Sequence, residues 1–188
     1  MGSKDKWDSF YYSKKREPFL HLTEEQVGDI LVRFPNAKSA LDIGCGEGQL
    51  LVQLEQRGFS TTGIDVSDVA LKEARKHVAG KLIEGDFEQF VFSSDSSFDL
   101  IFVKFVIAFI QNPEKFFQKI DNLLKIGGGF ILLTPVTQEL DSLSEKEEVF
   151  VEQSILDKFM PQYFSKVEET ILYSENSKKL SLYICMKR

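Results

Sequence analysis

Apolar positions along the chain follow two rhythms that take turns. Short, nearly continuous apolar runs alternate with segments whose apolar residues recur three and four apart, the marks of buried strands and amphipathic helices. The first helix opens at Thr23, which with Gln26 has the spacing of a capping box. Val27, Ile30, Leu31 and Phe34 share one face, and Pro35-Asn36 ends it. Residues 39–43, 60–65, 81–84, 98–103 and 130–134 read as five strands. Between them, residues 49–57 and 68–78 read as helices closed by Gly58 and Gly80. A further helix starts at Asn112-Pro113 and carries the stripe Phe116, Phe117, Ile120, Leu123 and Leu124, with Gly127-Gly128-Gly129 as its expected end. Residues 145–159 form a predicted last helix, and 138–148 a polar, acidic loop before it. Residues 167–173 and 180–186 predict an antiparallel hairpin across the polar run 174–179. The first twenty residues, with Trp7, Phe10, Tyr11, Tyr12, Lys14, Lys15, Arg16 and Pro18, read as an irregular basic and aromatic arm.

Strand and helix in alternation imply a parallel sheet with helices on both faces, an α/β class. No repeat or linker interrupts it, so residues 1–188 read as one domain: an arm or lid over 1–22 and a core over 23–188. In such a sheet, ligands sit beyond the carboxyl ends of the strands. Those ends therefore hold the informative residues. After the first strand comes Asp42-Ile43-Gly44-Cys45-Gly46-Glu47-Gly48. Its glycines allow a tight turn and close approach of a ligand, and the next helix offers unpaired N–H groups. A dinucleotide fingerprint would need glycine at position 49, where the chain has Gln49. The observed spacing is Gly-x-Gly-x-Gly, with an acid two positions earlier. Asp65, followed by Val66, ends the second strand, and Gly85-Asp86-Phe87 follows the third. Read alone, Asp65 could be a helix cap and Asp86 a plain turn residue.

This joint pattern resembles the class I S-adenosylmethionine-dependent methyltransferases. The run 41–48 is similar to that family's first motif. Phe98-Asp99-Leu100-Ile101 resembles its fourth-strand opening, and Lys125-Ile126-Gly127-Gly128-Gly129 its run before the fifth strand, with Ile126 in place of proline. The resemblance covers about residues 20 to 188. It implies a Rossmann-like doubly wound sheet of seven strands in order 3-2-1-4-5-7-6, closed by the antiparallel hairpin. It implies S-adenosyl-L-methionine as cofactor and S-adenosyl-L-homocysteine as product. By the same resemblance Gly44, Cys45, Gly46 and Gly48 cradle the methionine part, and Asp42 orders the turn. Asp65 and Val66 take the ribose, and Asp86 and Phe87 the adenine. Lys104 offers its carbonyl to the methionine amino group, with a snorkelling lysine as the competing reading.

Charge narrows the acceptor. Lys plus Arg total 23 against 29 Asp plus Glu, a net charge of −6, which argues against dedicated nucleic-acid binding. The two cysteines, Cys45 and Cys185, have no disulfide or metal-ligand spacing. No leader or spanning segment is visible, so a cytoplasmic protein with reduced thiols is expected. The 17 phenylalanines fit either a Phe-rich core or a biased genome.

No residue declares itself catalytic. His77 reads as structural, remote from the strand ends, and His21 as a weak candidate base beside the arm. After the fourth strand, where relatives often carry polar pairs, the chain has Lys104-Phe105-Val106-Ile107-Ala108-Phe109. The arm aromatics suit either a lid or a packing staple, and Lys15 or Arg16 could pair with the methionine carboxylate. The expectation is methyl transfer to a small-molecule acceptor, mainly by positioning. The rivals are a cofactor-binding, non-catalytic partner subunit of another methyltransferase, a protein or RNA methylase, and a nicotinamide oxidoreductase, which Gln49 disfavours. A protein partner stays possible.

Overall fold

The computed structural model describes residues 3–13, 21–138, 150–175 and 177–188. Among these, eight strands form one sheet in the order β3-β2-β1-β4-β5-β8-β7, with a two-residue β6 paired to β5. The expected order is present; the short β6 only raises the numbers of the hairpin strands. The chain divides into two compact units, Met1–Ser93 and Ser94–Arg188.

The first unit holds helices α1 (Ser3–Tyr12) and α2 (Glu24–Val32), then β1 (Ser39–Ile43), α3 (Gln49–Glu55), β2 (Ser60–Asp65), α4 (Asp68–Ala74) and β3 (Lys81–Glu84). β1 pairs with β2 and β2 with β3, both parallel. Leu41, Ile43, Leu51, Leu54, Ile64 and Leu71 are fully buried along this layer. Thr23 caps α2 as its spacing predicts: its hydroxyl accepts from Gln26 N–H at 3.2 Å, and Gln26 Oε1 accepts from Thr23 N–H at 2.9 Å. Glu55, at the end of α3, fastens the turn after α4. Its carboxylate accepts from the Thr61 hydroxyl (2.6 Å) and from the N–H groups of Ala79 (3.0 Å) and Gly80 (2.8 Å). Burial works against this charge, but those three donors outweigh it and hold the carboxyl below its ordinary value.

The second unit runs β4 (Phe98–Lys104), a short 3₁₀ turn (Ile107–Phe109), α5 (Pro113–Leu123), β5 (Leu124–Thr137), β6 (Val151–Glu152), α6 (Gln153–Tyr163), β7 (Phe164–Glu175) and β8 (Lys178–Lys187). β4 and β5 are parallel, whereas β5, β8 and β7 are antiparallel neighbours. Its core is aromatic. Phe117 meets Phe130 edge-on at 6.0 Å and stacks with Phe159 at 5.7 Å, and Phe130 stacks with Phe164 at 5.1 Å. Each such buried ring adds about 1.5–3 kcal/mol, so these phenylalanines have a structural use. Asn112 caps α5 through Lys115 N–H, at 3.0 Å.

Three expected elements differ. The arm is helical over Ser3–Tyr12 rather than irregular. β5 begins at Leu124, so the triple glycine lies inside the strand instead of before it. Phe98 pairs with Leu124 and Leu100 with Gly129, so residues 125–128 bulge out where one residue faces them, turning at Gly127 (φ 73°). The last helix starts at Gln153; the acidic loop expected over 138–148 lies, from 139 on, outside the described residues. So do Lys14, Lys15, Arg16, Pro18 and, in the hairpin turn, Asn176.

Candidate cofactor-binding site

The candidate residues of the first unit gather at the carboxyl ends of β1, β2 and β3. The glycine turn leaves β1 with positive φ at Gly44 (69°), Gly46 (55°) and Gly48 (83°). Gly44 and Cys45 N–H groups both donate to the Ile64 carbonyl, at 2.8 and 3.2 Å, which ties the turn to the end of β2. Asp42 is fully buried beneath it.

Asp65 is the hinge of the site. Its Oδ2 accepts from Gly46 N–H at 2.8 Å and its Oδ1 from Ser67 N–H at 2.9 Å. One carboxylate thus joins the glycine turn to the start of α4. The cap of α4 is Ser67, whose hydroxyl accepts from Ala70 N–H at 3.2 Å, so Asp65 is not spent as that cap. Each carboxylate oxygen has further lone pairs for a ligand hydroxyl. Val66 follows, half-buried.

The glycines have different duties. A Cβ on Gly46 would lie 2.5 Å from the Tyr11 hydroxyl, so Gly46 lets α1 approach the turn. A Cβ on Gly48 would strike Val78 Cγ2 at 2.6 Å and Ala74 Cβ at 3.3 Å, so Gly48 lets α3 start against the end of α4. Cys45 is buried in a cluster with Leu51 and Leu71. Its side chain serves the core.

After β3, Asp86 is exposed and its Oδ1 accepts from Glu88 N–H at 2.9 Å. It is a turn residue with carboxylate oxygen to spare. Phe87 is buried, 6.0 Å from the Phe92 ring. Lys104 belongs to the second unit, half-buried at the end of β4. The next residue, Phe105, has φ 58°, a left-handed conformation that costs a non-glycine residue roughly 1–2 kcal/mol. His21 is exposed ahead of α2.

Two features go beyond what the sequence suggests. His77 Nε2 lies 2.7 Å from the Glu47 carbonyl, so it props the glycine turn rather than standing apart from it. A carbonyl only accepts, so that nitrogen carries the hydrogen. The second is α1. Lys4 Nζ reaches Asp68 Oδ1 and Glu84 Oε1, each at 3.1 Å, and Asp8 Oδ2 at 3.3 Å. The Ser67 hydroxyl donates to Asp8 Oδ1 at 2.6 Å. The chain does carry a signal for it: Trp7, Phe10 and Tyr11 fall at i, i+3 and i+4, and Lys4 and Asp8 at i, i+4.

A parallel sheet of this order with a terminal antiparallel hairpin, and an acid-anchored glycine turn after β1, define the Rossmann-like methyltransferase class. Comparison with known proteins agrees. Residues 41–132 match the family model described as "Methyltransferase domain". A ubiquinone biosynthesis O-methyltransferase of Nitrosomonas europaea is 28% identical over 114 residues, covering 58% of this chain and 46% of that protein. The chain therefore spans about half the length of this curated relative. A crystal structure of a Pyrococcus horikoshii OT3 protein superposes with a TM-score of 0.67 at 18% identity, covering 88% of this chain and 89% of the other. The plantazolicin methyltransferase BpumL in complex with SAH gives 0.67 at 18%, covering 88% and 82%. The chain thus carries a match to a methyltransferase domain over 41–132 and has the Rossmann-like fold of structures that include methyltransferases in complex with S-adenosylhomocysteine. The residues present are of the types the methyl-donor cofactor needs: a glycine turn of positive φ and, bonded to it, the Asp65 carboxylate, with the Tyr11 hydroxyl lying over Gly46.

Proposed function

We propose that this chain transfers a methyl group from S-adenosyl-L-methionine to a small-molecule acceptor. The observation that carries this is the Asp65 carboxylate, held by Gly46 and Ser67 N–H groups at the edge of the glycine turn. In this reading Asp65 accepts from the ribose hydroxyls, with Val66 alongside. Gly44, Cys45, Gly46 and Gly48 supply backbone to the methionine part over buried Asp42. Asp86 accepts from the adenine amino group and Phe87 closes the adenine side. The Lys104 carbonyl accepts from the methionine amino group. The bound cofactor supplies a methyl carbon already activated by a sulfonium. The protein's own work is then to hold an acceptor in line, which can supply roughly 7–11 kcal/mol.

The acceptor reading draws on the apolar run 105–110 and on relatives named as O-methyltransferases. A net charge of −6 disfavours RNA. Among the described residues no helix is long and apolar enough to cross a membrane, and we place the protein in the cytoplasm. Calorimetry with S-adenosylmethionine and S-adenosylhomocysteine tests the reading. Asp65→Ala should weaken binding at least tenfold, about 1.4 kcal/mol. No binding by the wild type would sink it.

One observation favours a second reading. Residues 105–110 contain no titratable side chain, as suits a partner subunit that binds the cofactor without turnover. Tight binding with no methyl transfer across a panel of phenols, thiols and amines would select it.

A further inference from the structure

The sheet has two edges, and they are finished differently. β3 is four residues long, and Lys4 of α1 reaches Glu84 at its end. β7 runs for twelve residues, pairs with β8 on one side and ends the strand order on the other. Natural sheets blunt an edge with short strands, bulges or charge, because its backbone N–H and C=O groups invite another strand. β7 has bulges, but they flank a regular stretch. Lys166 to Ile171 pair with Met186 to Ser181 without a break, between register shifts at Phe164/Lys166 and Ile171/Tyr173. It has charge as well, but that charge is engaged within the hairpin. Lys166 Nζ lies 2.6 Å from Glu168 Oε1. The Glu169 carboxylate accepts from the Ser181 hydroxyl (2.6 Å), the Tyr183 hydroxyl (2.9 Å) and Lys179 Nζ (2.7 Å), all on β8. It is therefore drawn toward β8 and away from the free edge. The apolar side chains of the stretch stay open to solvent: Val167 is 41% exposed and Ile171 54%.

We propose that the Lys166–Ile171 edge of β7 is an interaction surface for a second copy of this chain, paired antiparallel about a two-fold axis at Glu169. The spacing of the residues selects this partner. Val167, Glu169 and Ile171 pair with Cys185, Tyr183 and Ser181, and as alternate residues they share one face of the sheet. A two-fold axis at the middle residue sets Val167 opposite Ile171 of the second copy, and Ile171 opposite its Val167. Both exposed apolar residues are then covered by one symmetric match. On the other face Glu168 stands opposite Thr170 of the second copy. Like charges meet only at the axis, where each Glu169 brings its own Lys179. An isologous interface requires a patch that complements itself, and this strand does. Main-chain bonds along the seam would extend the sheet, as in other strand additions. The seam is short beside a standard interface of about 800 Å² per partner, so a micromolar dimer is expected. This inference stands apart from the cofactor reading.

The experiment is sedimentation equilibrium of the full chain from about 1 to about 200 μM, with circular dichroism to check the fold of each variant. Wild type should pass from the mass of one chain to twice that mass. Val167→Lys and Ile171→Glu lie at exposed positions. Each alone should weaken the dimer at least tenfold and leave the circular dichroism unchanged. The two together should restore it, because in this register each introduced lysine faces an introduced glutamate across the axis. A wild type that is still monomeric at about 200 μM would overturn the second copy as occupant and leave the edge to an unlike strand. A dimer that neither single substitution weakens would overturn the surface. Loss in both single variants with no recovery in the double variant would overturn the axis at Glu169.

Discussion

Gly48 shows how much a single missing side chain decides. Its φ of 83° and the Val78 methyl 2.6 Å from where a Cβ would stand both exclude any other residue. Gly48→Ala should destabilise the protein by roughly 1–3 kcal/mol, read as a lower urea midpoint. Glu55 is the second test. Its carboxyl is held below its ordinary 4.5, so its contribution is present above that pH and lost as acid protonates it. Glu55→Ala should cost roughly 1–3 kcal/mol at pH 7 through the orphaned Ala79 and Gly80 N–H groups, and the gap to wild type should narrow on going below pH 4.5. At this scale the sequence tells which residues matter better than which way they face. Nothing in the order of residues says that Cys45 turns into the core. Nor does it say that His77 reaches Glu47, because both depend on the crossing of α4 over the turn.

Elements are legible where chemistry is local. Thr23–Gln26, Ser67 and Asn112 each announce a helix start by a side chain that satisfies N–H groups within three residues. Asn112→Ala should therefore cost about 1 kcal/mol in denaturant melts. Elements are harder to read where the partner is distant. Gly127-Gly128-Gly129 has the composition of a helix stop, yet pairing of Leu124 with Phe98 draws the segment into β5 as a bulge. Helix α1 hides for a similar reason. Its ten residues would be marginal alone, and its anchors, Ser67, Asp68 and Glu84, are some sixty to eighty residues away.

Taken as a whole molecule, the alternation of strands and helices predicts a parallel sheet covered by helices and a terminal hairpin, whereas the strand order follows only from the family resemblance. The length of the hairpin is not predicted this way. β7 and β8 extend past their apolar runs through added pairs at both ends, Glu175 with Lys178 beside the turn and Phe164 with Lys187 at the other. Net charge belongs to this scale too. With −6 on the chain, duplex DNA should not be retained in a gel-shift assay at physiological salt; retention would reveal a local basic patch.

The pairing of β5 with β8 also sets a timetable. Thr137 waits for Lys178, and Gly129 for Met186, partners 41 and 57 residues later in the chain. At a translation rate of about 5–20 residues per second, β5 leaves the ribosome with one edge unpaired for roughly two to eleven seconds. That edge runs along Phe130, Ile131, Leu132 and Leu133, all fully buried once folding is complete. A nascent chain is thus at its stickiest between the synthesis of β5 and that of β8. Slower codons across residues 138–178 would lengthen that exposure, and growth at lower temperature with abundant chaperone should raise the soluble yield.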